Sequence, residues 1–156
     1  MRLSRAGFTL TEVVVVISLL GILAAVAIPN FIDFRTDAKT AVTKDELAAL
    51  KRGIVGDGRI VSGGAYAFPG YEADMGAPPG NLASLVTYST NPNGYYDPIV
   101  RRGWRGPYVD TSSISDYSKD AWSQAYTFST GSRFIRSLGP NGANDAGAGD
   151  DISIDF

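Results

Sequence analysis

No cysteine and no histidine occur among the 156 residues of this chain. The first absence excludes a disulfide staple, a thiol nucleophile and thiolate metal sites. The second leaves a Ser-His-Asp triad without its base and the common zinc sites without imidazole. For catalysis there remain an acid pair such as Asp150 and Asp151, or a Ser-Lys dyad. Neither has a recognisable setting, so no enzymatic activity is expected. Basic residues are not in excess: 14 Lys and Arg stand against 16 Asp and Glu, for a net charge of −2. Nucleic acid, held chiefly by Lys and Arg on phosphates, is not an expected partner.

Charge is also missing from one long stretch. Val13 to Ile32 are twenty residues without an Asp, Glu, Lys or Arg, and most are Val, Ile, Leu or Ala. As a helix rising about 1.5 Å per residue they would span roughly the 30 Å hydrocarbon core of a bilayer. Arg2 and Arg5 precede the run, and a single acid, Glu12, sits in its first turns. On hydropathy alone two readings stand level. One is an uncleaved signal anchor, with Glu12 tolerated near a helix N-terminus. The other is a secretory signal cut after Ala25-Val26-Ala27, which has the small-x-small pattern.

The sequence Gly7-Phe8-Thr9-Leu10-Thr11-Glu12, followed at once by the apolar run, closely resembles the class III signal of type IV pilins and related pseudopilins. Gly21 and Pro29 also fall where that family places helix-weakening residues. The resemblance implies that a prepilin peptidase cuts between Gly7 and Phe8 on the cytoplasmic side and methylates the new terminus at Phe8. Residues 1–7 would be the leader, 8–32 the transmembrane and filament-core helix, and 33–156 a periplasmic domain. It also implies a role for Glu12. A carboxylate in a membrane helix costs about 2.5–3.5 kcal/mol at the centre and less near the edge. In the family's filaments that acid is thought to meet the terminal amine of a neighbouring subunit, which would make Glu12 a register device for polymerisation.

The basic head ahead of the span would hold the N-terminus in the cytoplasm and send the rest outward. Phe34, Ala38, Ala41 and Val42, then Leu47, Leu50 and Ile54, recur at roughly helical spacing, so the helix is expected to continue into solvent. Pro29 would loosen it without ending it, and Gly53, Gly56 and Gly58 would stop it after about 45–50 residues. Residues 62–80, rich in Gly and Pro, read as loop. Asn81 would cap a short helix over 82–86. In the irregular stretch 87–120, Tyr95, Tyr96, Trp104 and Tyr108 either form a binding platform or pin the loop to a core.

Residues 125–129 and 134–138 flank Gly131-Ser132, a candidate two-residue hairpin turn, and Ile152–Phe156 alternates like a terminal strand. The expected fold is α+β: a long N-terminal helix packed on a small antiparallel sheet. Leu138 is followed by thirteen residues holding three Asp, two Asn and four Gly. Hard oxygen donors on such a loop suit Ca²⁺, although the register is not that of an EF-hand, and a plain acidic turn is the alternative.

The segments Asp120-Ala121-Trp122-Ser123-Gln124-Ala125-Tyr126, Ser137-Leu138-Gly139-Pro140-Asn141-Gly142 and Asp150-Asp151-Ile152 are similar to the C-terminal end of major pseudopilins of type II secretion, and Trp104-Arg105-Gly106-Pro107-Tyr108 resembles that family's W-x-G-P-Y. That resemblance implies calcium held by the Leu138 carbonyl, Asn141, Asp150 and Asp151. Asn141 stands where an Asp is usual, and Asp145 is a candidate to compensate. The implied protein is a structural subunit of a periplasmic pseudopilus, a homopolymer that also contains other pseudopilins. Its implied partners are the prepilin peptidase, an inner-membrane assembly platform and the membrane itself. The alternative is a type IV pilin for adhesion, motility or DNA uptake.

Overall fold

In the computed structural model the described residues are 7–59, 61–63, 65–66, 68–88, 94–111 and 116–156. Arg2 and Arg5, Gly64 and Asn93 lie outside them. The chain divides into two units, Met1–Ala38 and Lys39–Phe156. Helix α1, Leu10–Val55, contributes residues to both and continues through position 29 without a break.

In the first unit the α1 residues from Val13 to Ile28, with Phe31 and Ile32, leave their large apolar side chains about half or more exposed on every side. Two hydroxyls are satisfied within the helix. Ser18 Oγ donates to the Val14 carbonyl at 2.7 Å, and Thr36 Oγ1 to that of Ile32 at 3.2 Å.

In the second unit Thr43, Leu47, Leu50 and Ile54 form the buried stripe of α1. The earlier apolar positions are not part of it: Phe34 and Val42 are exposed. At 100° per residue, Phe34, Ala38 and Ala41 fall about half a turn from the buried stripe, so they belong to the opposite face. The helix ends where expected, but through one glycine only. Gly56 takes φ +88° and donates to the Arg52 carbonyl at 2.8 Å, a left-handed C-terminal cap. Gly53 lies inside α1, and its need is proximity: a Cβ there would meet Val109 Cγ2 at 2.7 Å.

Strands β1 (Val61–Ser62) and β2 (Ala65–Tyr66) pair antiparallel. Helix α2, Gly70–Met75, then stands in the segment read as loop, with Tyr71 and Met75 buried. The Pro69 and Gly76 that suggested loop are its borders, and six residues are too few to show a helical period. A 3₁₀ turn covers Leu82–Leu85, and the Asn81 side chain accepts from Ser84 N as expected.

The sheet is antiparallel in the order β3 (Thr127–Ser129), β4 (Phe134–Ser137), β5 (Ile152–Asp155). Ser129 pairs with Phe134, so the β3–β4 turn has four residues rather than the expected two. Its left-handed position is Arg133, at φ +54°, and not Gly131. Arg133 is held there by partners: it donates to both Glu72 carboxylate oxygens at 2.8 and 2.9 Å and to the Phe156 carbonyl at 2.6 Å. The core joins Leu47, Leu50 and Ile54 of α1 to Tyr71, Met75, Leu85, Tyr108, Val109, Tyr126 and Ile135. Each fully buried side chain of this size contributes about 1.5–3 kcal/mol.

Candidate functional site

At the N-terminal site Gly7 and Phe8 are exposed, and a Cβ at Gly7 would meet nothing within 4 Å. Among the described residues, therefore, none sterically requires glycine at position 7. Glu12 Oε2 accepts from both the backbone N and the hydroxyl of Thr9 at 2.8 Å, while Glu12 N donates to Thr9 Oγ1 at 3.3 Å. This is a capping box, with Thr9 and Glu12 satisfying each other's end of the helix. The signal for it, Thr-x-x-Glu before an apolar run, was present in the sequence and went unread beside the question of charge. The helix behind it is long and apolar enough to cross a membrane, with none of that window buried. A helix apolar all round needs lipid or other helices to cover it.

The aromatic segment is a pin. Trp104 Nε1 donates to the Ser84 carbonyl at 3.1 Å, and Tyr108 N to that of Leu85 at 2.7 Å. Buried Asp74 accepts from Arg105 Nε and Nη2 at 3.1 and 2.7 Å and from the Tyr108 hydroxyl at 3.0 Å. Burial pushes the Tyr108 phenol far above its ordinary value, so it remains a donor. Gly106 is required by closeness, since a Cβ there would lie 2.7 Å from the Tyr108 ring and 2.9 Å from Trp104. Tyr96 lies under the Arg105 guanidinium at 4.6 Å. Of the four aromatics Tyr95 stays on the surface, 69% exposed and stacked on Tyr88.

The acidic loop runs from β4 to β5, so both its ends are fixed by one strand pair. Asp150 accepts from Asn141 N at 2.9 Å and from Asn141 Nδ2 in a short bond, and Asn141 Oδ1 accepts from Ala143 N at 2.6 Å. Asn141 Nδ2 also reaches Asp145 at 3.3 Å. Gly139, next to Leu138, takes φ +64° against the Asp150 backbone, where a Cβ would come within 2.2 Å of the carbonyl oxygen. The fold thus brings Leu138–Gly139, Asn141 and Asp150 to one place. Asp151 faces another way. Its Oδ2 accepts from Gly147 N at 2.8 Å, while its buried Oδ1 has no hydrogen-bond partner. Among the described residues no three acidic side chains converge as metal ligands. A cation here would need amide and backbone oxygens as well as carboxylates. Asn141 and Asp150 supply hard oxygens of that kind at one place, and the orphaned Asp151 Oδ1, which faces another way, would have to turn toward them to join the set.

Below this loop lies a buried polar network that sequence reasoning missed. Asp120 accepts from Trp122 N and Gln124 N, both at 2.9 Å, and from Ser137 Oγ at 2.5 Å. Ser137 Oγ accepts in turn from Gly139 N at 3.1 Å, and Gln124 Nε2 donates to the Gly139 carbonyl at 3.1 Å. The start of the acidic loop is therefore tied to the segment 120–124.

Comparison with known proteins places these features in context. Residues 2–28 match the prokaryotic N-terminal methylation motif. The chain is 31% identical over 111 residues to the type II secretion system core protein G of Pseudomonas aeruginosa, covering 69% of this chain and 73% of that protein. It is 49% identical over 55 residues to the type IV major pilin protein PilA of Myxococcus xanthus, covering 32% of this chain and 25% of that one. It is also 41% identical over 51 residues to the type IV major alpha-pilin of Moraxella bovis, about a third of either chain. The match thus spans only a quarter of the Myxococcus pilin but most of the secretion protein. No solved structure matches the chain.

Proposed function

The chain belongs to the type IV pilin-like and pseudopilin family, and from that premise we propose that it is a pseudopilin of type II secretion. The observation that carries this choice is the length of the likenesses. Those to pilins extend over 50–55 residues, whereas that to the secretion protein extends over 111 and must take in residues beyond α1. In this reading the protein is a structural subunit and not an enzyme. Peptidase cleavage at Gly7-Phe8 leaves the apolar helix on the protein. The helix anchors it in the inner membrane, N-terminus in the cytoplasm and residues 33–156 in the periplasm, until an assembly platform draws it into a filament with copies of itself and other pseudopilins.

Calcium has a stated place in the same proposal. Asp150, Asp151, Asn141 Oδ1 and the Leu138 carbonyl would hold it, and the ion would offset the repulsion of neighbouring carboxylates. These residues would thereby fasten β5 to the domain without a disulfide.

Deleting the gene in its host separates this reading from the pilin alternative. Loss of proteins from the culture supernatant with surface filaments intact is expected. Loss of surface filaments or twitching with secretion intact would favour a type IV pilin.

A further inference from the structure

We propose that Arg136 is a resident counter-cation of the acidic loop: it holds Asp151 when no metal is bound, and its charge weakens the loop's grip on a divalent cation. This rests on the calcium reading above. Arg136 projects from β4 with its side chain only 14% exposed. Its Nε donates to Ser153 Oγ at 2.9 Å and lies 3.9 Å from Asp151 Oδ2. Its Nη1 donates to Asn144 Oδ1 at 3.3 Å, and the guanidinium stands 4.5 Å over the Phe134 ring. A Cβ on Gly147 would come within 3.0 Å of Nη2, so the guanidinium is packed directly against the loop. The Asp151 side chain is 0% exposed, and Arg136 is its one cationic partner within 4.0 Å among the described residues.

A carboxylate so enclosed, with one oxygen lacking a hydrogen bond, is unfavourable unless a positive charge lies close. Arg136 supplies that charge permanently. Its charge offsets that of Asp151 and keeps that end of the loop folded without metal. The same charge repels a Ca²⁺ that would take Asp151 as a ligand. Stability without metal and affinity for metal therefore pull against each other at this residue. A residue that merely braced the loop would lose both on removal.

The test uses the full chain in detergent and CaCl₂ as the probe, read by calorimetric titration and by melting in chelator. Arg136→Gln keeps an amide donor for Ser153 or Asn144 and removes the charge. Its Kd for Ca²⁺ should fall about three- to tenfold, while its melting temperature in chelator falls. Arg136→Lys, which keeps the charge, should stay within about twofold of the unsubstituted chain. Should Arg136→Gln fail to fold, Arg136→Met keeps the aliphatic packing and removes the charge, and tighter Ca²⁺ binding is expected there too. Equal or weaker Ca²⁺ binding by whichever of these charge-neutralising variants is folded would overturn the proposal. An unsubstituted chain that binds no Ca²⁺ would overturn the calcium reading itself.

Discussion

Tyr108 donates its hydroxyl proton to Asp74 at 3.0 Å across 34 residues of chain. The bond joins the end of the aromatic segment to α2, and Arg105 closes the same carboxylate from the other side. Asp74→Ala would leave Tyr108 without its acceptor and Arg105 without its counter-ion. A loss of about 2–3 kcal/mol is expected, at the low end for a broken pair because Arg105 is half exposed. Tyr108→Phe should cost about 1 kcal/mol. Denaturant unfolding of the full chain in detergent measures both, and near-zero losses would mean that the segment is held by packing alone.

Acid should weaken the tie between α2 and the β3–β4 turn. Hydrogen bonds from Arg133 hold the Glu72 carboxyl below its ordinary 4.5. A depressed folded-state value means the pair's contribution is complete above about pH 4.5 and is lost as pH falls through the lowered value. Stability of the unsubstituted chain should thus decline below pH 4.5 more steeply than that of Glu72→Gln. Parallel pH curves would show that the pair contributes nothing, as many half-exposed pairs do.

Calcium should raise the melting temperature. At about a hundred times its Kd a ligand adds roughly 2.7 kcal/mol, which is several degrees or more for a domain of this size. Magnesium should add less, because its octahedral demand suits a loose loop poorly. Asp150→Ala combined with Asp151→Ala should abolish the gain and make β5 the first strand to exchange its amide hydrogens. Equal melting with calcium and with chelator would leave residues 138–151 a plain acidic turn.

Much of this fold was legible because its signals are long or local. The length of α1, the Gly56 stop, the Asn81 cap and the alternation of β5 all follow from periods and caps that neighbouring residues do not override. The misreadings lie where a distant contact decides. Arg133 takes the left-handed position of the β3–β4 turn because Glu72 and Phe156 hold it there, against the glycine next door. The support that Asp120 and Gln124 give the acidic loop does not show in the sequence, because their partners lie 17 and 15 residues away.

Glu12 carries two separable roles, and two substitutions divide them. Glutamine can still complete a capping box with Thr9, whereas alanine forfeits it at about 0.5–2 kcal/mol. If charge serves assembly, Glu12→Gln and Glu12→Ala should both insert normally and both lose filaments on overexpression. Filaments from Glu12→Gln but not from Glu12→Ala would assign the residue to helix capping alone.

The most direct test of the whole account is the mass and N-terminal sequence of the protein extracted from membranes. The account predicts a mature chain beginning at N-methylated Phe8, with Gly7 replaced by a bulky residue leaving the longer precursor in the membrane. A mature terminus at Ile28 would contradict it, because the helix on which anchoring and polymerisation depend would then have been discarded.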